Sequence, residues 1–139
     1  MRADVPGGTC ELHMESKKIG LFRSAKNAVP FSPGQTIFKE GDPADVMYVV
    51  QSGEVEVRYN GHSIETLGEG NIFGEMSLVS EEPRAATVIA LTDVRLVPVD
   101  LKHFMFLVEE TPYFAVQVMK IMSSRIRKML ARIEPAKVS

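Results

Sequence analysis

The sequence predicts a mainly β domain with flanking helices, a β-roll followed by C-terminal helices. Three observations carry this. From Phe31 to Val99 short apolar runs alternate with turn residues at close intervals, the texture of a sandwich or barrel. From Asp100 onward apolar residues recur every three or four positions, the period of a helix packed on one face. The chain has 139 residues, 45% hydrophobic and 24% charged, which suits one core in an ordinary globular domain.

Residues 1 to about 16 read as a flexible tail, rich in Gly and polar residues without a period, and residues 17–139 as one domain. Lys17 to Lys26 is expected to form a short helix holding Ile19, Leu21 and Phe22. Ser32-Pro33-Gly34-Gln35 and Glu40-Gly41-Asp42-Pro43 read as turns. Met47 to Val50 is an apolar strand, and Gln51-Ser52-Gly53-Glu54 turns it back. Val55, Val57 and Tyr59 alternate with Glu56 and Arg58, which predicts one buried face. Asn60-Gly61 is a two-residue hairpin signal, with Ser63 to Leu67 as the return strand. Thr87 to Leu91 and Val94 to Val99 complete a β-roll at about 30–99. Asp100 is a good N-cap for a helix holding Phe104, Leu107 and Val108. Thr111-Pro112 starts a last helix, expected to stop near Pro135. Its predicted stripe is Phe114, Val118, Met122, Ile126, Met129 and Ile133, so the C-terminal helices cover about 100–133.

Composition excludes several classes. No apolar run approaches the roughly 18 residues of a membrane span, and no signal-peptide core follows the early charges Arg2 and Asp4, so the expected location is cytoplasmic. The single cysteine, Cys10, excludes an internal disulfide. His13, His62 and His103 share no metal-ligand spacing, and no nucleophile, triad or Walker pattern occurs, so neither a metal site nor an enzyme is expected. Net charge is −2, but Glu40 to Glu110 holds fourteen acidic and four basic residues, while Thr111 to Ser139 holds six basic and one acidic. The basic end complements a helix dipole or forms a partner surface, including one for a second copy. No reading element for nucleic acid accompanies it.

The chemistry concentrates between Phe73 and Val88. Gly74 lets the backbone approach a ligand closely. Glu75 to Val79 is long enough for one helical turn, whose free N–H groups attract an anion. Arg84, held behind Pro83 and before the small Ala85 and Ala86, offers a planar fork for phosphate oxygens. Glu75 repels phosphate but accepts hydrogen bonds from sugar hydroxyls. The pair suits a ligand with one phosphate charge and a ribose, and equally suits a structural ion pair under a tight loop.

Phe31 to about Leu130 resembles the cyclic-nucleotide-binding domain family, which includes catabolite-activator-type regulators and regulatory subunits of cAMP-dependent protein kinase. The resemblance rests on Phe31-x-Pro33-Gly34-Gln35-x-Ile37-Phe38-x-Glu40-Gly41-Asp42, on Ala44-Asp45-x-Met47-Tyr48-Val49-Val50-x-Ser52-Gly53-x-Val55-Glu56-Val57, and on Phe73-Gly74-Glu75 through Pro83-Arg84-Ala85-Ala86-Thr87-Val88. It implies an eight-stranded antiparallel jelly roll. Glu75 would take the ribose 2′-OH and Arg84 the cyclic phosphate, with Phe73, Gly74, Met76, Ser77, Ala85 and Ala86 forming the cradle. Val57 and Ile64 would touch base or sugar, with plain core as an equal alternative for each. Ala85 after the clamping Arg goes with cAMP in the family, Thr with cGMP. Ser77 stands where the family often has Ala or Gly, and the eight residues between Phe22 and Phe31 make a short N-terminal region.

The resemblance further implies that ligand orders the last helix as a lid, with the capping residue between Met122 and Arg132. No helix-turn-helix, kinase, channel or cyclase module lies within these residues. The expectation is therefore a domain that signals to a separate partner, buffers the nucleotide, or belongs to a larger protein. The rival readings are an interaction module that binds no nucleotide and a haem sensor, the latter lacking an axial-ligand pair. Arg84→Ala is expected to abolish binding while leaving the fold intact, because position 84 reads as a surface loop.

Overall fold

Turn chemistry divides the described residues into eight strands and burial sorts them into two layers. The computed structural model describes residues 22–138, with side chains to 133. The strands are β1 (Val29–Phe31), β2 (Thr36–Phe38), β3 (Val46–Ser52), β4 (Val55–Tyr59), β5 (His62–Leu67), β6 (Ile72–Phe73), β7 (Thr87–Ala90) and β8 (Val94–Asp100). They form two four-stranded antiparallel sheets, ordered β1-β8-β3-β6 and β2-β7-β4-β5, which is the eight-stranded jelly-roll arrangement expected. Among the described residues the helices are α1 (Glu75–Ser80), α2 (Leu101–Glu110) and α3 (Tyr113–Val138). The expected tail and most of the expected N-terminal helix lie outside the described residues. Residues 22–25 form a turn instead of helix, where the Gln51 side-chain amide donates to the carbonyls of Phe22 and Ala25.

The first sheet is buried on both faces, and side-chain alternation shows how. In β8, Val94 and Leu96 join one apolar cluster with Val50, Val55, Phe73 and Val88, between the sheets. Val97 and Val99 point the other way and join Met47, Val49, Ile72, Leu78, Phe114, Val118 and Ile121. The order of layers is thus sheet, sheet, helices. Phe114 is fully buried, in edge contact with Phe22 and Phe104 at centroid distances of 6.3 and 5.4 Å.

Local signals are obeyed where the backbone alone decides. Asn60 and Gly61 both have positive φ (53° and 79°), the requirement of the tight hairpin turn between β4 and β5. Asp100 caps α2, accepting from the His103 N–H at 2.8 Å. Three expectations need correction. Tyr59 is exposed because the hairpin tip runs past the core. The α3 helix continues past Pro135 to Val138. The buried stripe of α3 is Phe114, Val118 and Ile121, whereas Ile126, Met129 and Ile133 are exposed. At 3.6 residues per turn the face toward the sheet drifts to 121 and 125. No described helix is long and apolar enough to cross a membrane.

Candidate functional site

The segment between β6 and β7 folds into a short helix clasped at both ends. Gly74 precedes α1 with φ 80°, and a Cβ there would lie 2.5 Å from Nη1 of Arg84. Only glycine therefore fits, for backbone and steric reasons together. Glu81 closes α1 in the left-handed region, its N–H on the Ser77 carbonyl at 2.8 Å. The Ser77 hydroxyl donates to the Pro83 carbonyl (3.3 Å), tying α1 to the returning loop. Arg84 then joins the turn at 41–42 through main-chain bonds: its N–H donates to the Asp42 carbonyl and its carbonyl accepts from Gly41.

Arg84 is 6% exposed, which corrects the surface-loop expectation. Its Nη1 donates to the Gly74 carbonyl at 3.2 Å and its Nη2 to the Val46 carbonyl at 2.6 Å. The guanidinium carbon stands 4.0 Å from the centre of the Phe38 ring. Burial pushes its pKa below the ordinary Arg value, opposed by Tyr48, Asp45, Asp42 and Glu75. Tyr48 is shifted up, chiefly by its own burial. Arg84 Nε, in contrast, is a buried donor with no partner among the described residues. Such a donor is destabilising unless something accepts from it, and an anion beside Arg84 would do so.

Glu75 is 4% exposed, and its partner is a residue that sequence reasoning did not single out. Arg125 of α3 sets Nη1 3.2 and 3.1 Å from the two Glu75 carboxylate oxygens. Its Nη2 donates to the Ile72 carbonyl, and its Nε lies 3.6 Å from Glu65 Oε1. Glu75 and Arg84 thus carry their contacts to different groups rather than to each other. The signal for Arg125 is its place four residues after Ile121, on the face that packs on the sheet. A search for apolar periodicity passes over a charged residue there.

The other expected site residues divide. Gly74, Glu75, Ser77 and Arg84 come together around α1, and Ser77 is buried. Ala85 is exposed and Ala86 half-buried. Met76 points outward on α1, 59% exposed. Phe73 is buried between the sheets, 5.3 Å from the Tyr48 ring and 5.8 Å from Phe38. Val57 is partly buried and packs against the same cluster. Ile64 is half-buried, and its carbonyl accepts from Nη2 of Arg132 at 2.5 Å. Among the described residues no group of three His, Cys, Asp or Glu could hold a metal ion.

Comparison with known proteins agrees with this architecture. The cAMP-dependent protein kinase regulatory subunit of Aspergillus niger is 39% identical over 74 residues, 52% of this chain and 18% of that protein. The cGMP-dependent protein kinase of Toxoplasma gondii is 48% identical over 60 residues, 43% of this chain and 6% of that protein. The chain therefore spans a small part of the length of these relatives. The crystal structure of the Thermus thermophilus catabolite activator protein shares the fold, with a TM-score of 0.70 at 23% identity over 96% of this chain and 61% of that one. The family model of the cyclic nucleotide-binding domain matches residues 28–111, which include all eight strands and the cassette from Gly74 to Arg84, and the chain belongs to that family.

Proposed function

We propose that this chain is a cyclic nucleotide receptor that prefers cAMP to cGMP and acts by binding alone. The observation that carries the reading is Arg84, a buried guanidinium with an unpartnered Nε in the family's cassette. In this reading Arg84 clamps the cyclic phosphate, and Gly74 leaves room for it. Glu75 accepts the ribose 2′-OH, and Ser77, Ala85 and Ala86 contribute through their backbone. Val57 and Ile64 line the base or sugar side. Ala85 offers no hydroxyl to a guanine, which favours cAMP. On binding, α3 is ordered as a lid over the base, and the ligand shifts that equilibrium by its differential affinity for the two arrangements. The signal then passes to a separate protein or to a second copy through α3.

Calorimetric titration with cAMP and cGMP, in parallel on Ala85→Thr, tests this. The expected result is cAMP binding at roughly micromolar Kd or tighter, with the preference moved toward cGMP in the variant. No heat and no thermal shift with either nucleotide, in a folded protein, refutes it and leaves an interaction module on the same fold.

A further inference from the structure

The outward face of α3 is apolar, and its free charge is of one sign. Val116, Met119, Ile126, Met129, Leu130 and Ile133 are exposed, most of them by more than half. With the half-buried Met122 these positions share an arc of roughly 140° on the helix. The patch is continuous, since Met119, Met122, Ile126 and Leu130 line one open groove together with Ser123 and Arg127. A contiguous exposed apolar patch of this kind marks a surface that meets something else.

Charge selects the occupant. From Thr111 to Ile133 the chain holds five basic residues and no acidic one. Arg125 and Arg132 are turned to the roll, on Glu75 and on the Ile64 carbonyl. Lys120 donates to the Tyr113 hydroxyl at 3.1 Å, and among the described residues no carboxylate pairs with Lys120, Arg127 or Lys128. Lys120 and Arg127 lie along one margin of the apolar arc. Two copies of α3 laid face to face bring these cations together with no acidic residue between Thr111 and Ile133 to answer them, whereas a paired coil carries opposite charges beside its seam. The arc is also wider than the narrow seam of such a coil.

We propose that the outward face of α3 is a docking surface for an anionic lipid bilayer, on which the helix lies flat without crossing. The apolar side chains enter the boundary between headgroups and acyl chains, and Lys120 and Arg127 reach sideways to the lipid anions. Met119, Met122 and Met129, unbranched and adaptable, suit a fluid partner. The proposal is independent of the nucleotide reading and uses no residue of the cassette.

The test is co-sedimentation of the full chain with vesicles of pure phosphatidylcholine and of phosphatidylcholine with about one-third phosphatidylserine. The expected result is binding to the anionic vesicles alone, weakened by salt at about 0.5 M. Lys120→Gln with Arg127→Gln should lower the partition coefficient about tenfold or more. Ile126→Asp with Leu130→Asp should abolish binding at positions where the fold does not need the apolar side chain, checked by an unchanged melting temperature. If that pair does not fold, the Gln pair carries the test. A folded parent that ignores anionic vesicles overturns the proposal, and so does equal binding to both compositions. A parent that sediments as a dimer, is split by the Asp pair and leaves vesicles alone also overturns it, because the face then belongs to a second copy.

Discussion

Arg84→Ala separates a structural from a purely ligand-facing arginine. The side chain is 6% exposed and donates to two main-chain carbonyls, Gly74 at 3.2 Å and Val46 at 2.6 Å. Each hydrogen bond from a charged donor is worth about 1.5–3 kcal/mol. The contact with the Phe38 ring adds roughly 2 kcal/mol. Against these stands the desolvation of a guanidinium, several kcal/mol, which the alanine variant recovers. The balance is a loss of about 2–4 kcal/mol in stability, because the variant leaves two carbonyls without their donors and a void beside Phe38. In urea this moves the unfolding midpoint down by about 1–2 M. Arg95→Ala is the control: that residue is exposed and, among the described residues, donates to Gln51, so its loss stays within about 0.5 kcal/mol. If Arg84→Ala unfolds within 0.5 kcal/mol of the parent, the assignment of Arg84 as a strut between β3 and the cassette is wrong. Where the variant is folded, its affinity for cAMP should fall by about 2–4 kcal/mol, the penalty for an unpaired phosphate charge.

Two further substitutions test the layers of the fold. Phe114→Ala empties a fully buried site between Phe22 and Phe104 and should lower stability by about 3–5 kcal/mol in thermal or urea unfolding, whereas Ile126→Ala, at a position 55% exposed, should change it by less than about 0.5 kcal/mol. Asp100→Ala removes the acceptor of the His103 N–H and should cost about 1 kcal/mol, read as a lower melting temperature and faster amide exchange at the start of α2.

The sequence by itself determined whatever depends on near neighbours in the chain. The Asn60-Gly61 turn, the Asp100 cap and the strand alternation follow from backbone preferences and a period of two. The cassette from Gly74 to Arg84 was legible as a unit, because a glycine, a short helix and a small-residue stretch around an arginine are local features. Only the tertiary structure decided the partners of its charges. Arg84 turns inward because β3 brings the Val46 carbonyl and β2 the Phe38 ring against it, thirty-eight residues away in the case of Val46. Glu75 met Arg125 across fifty residues, a distance at which no sequence spacing selects among the six basic residues of the C-terminal segment. The seat of α3 is not selected by the sequence for a related reason. A run of apolar residues at both 3- and 4-residue steps fits two neighbouring faces, and the packing of Phe114, Val118 and Ile121 on the sheet chooses the one that carries Arg125.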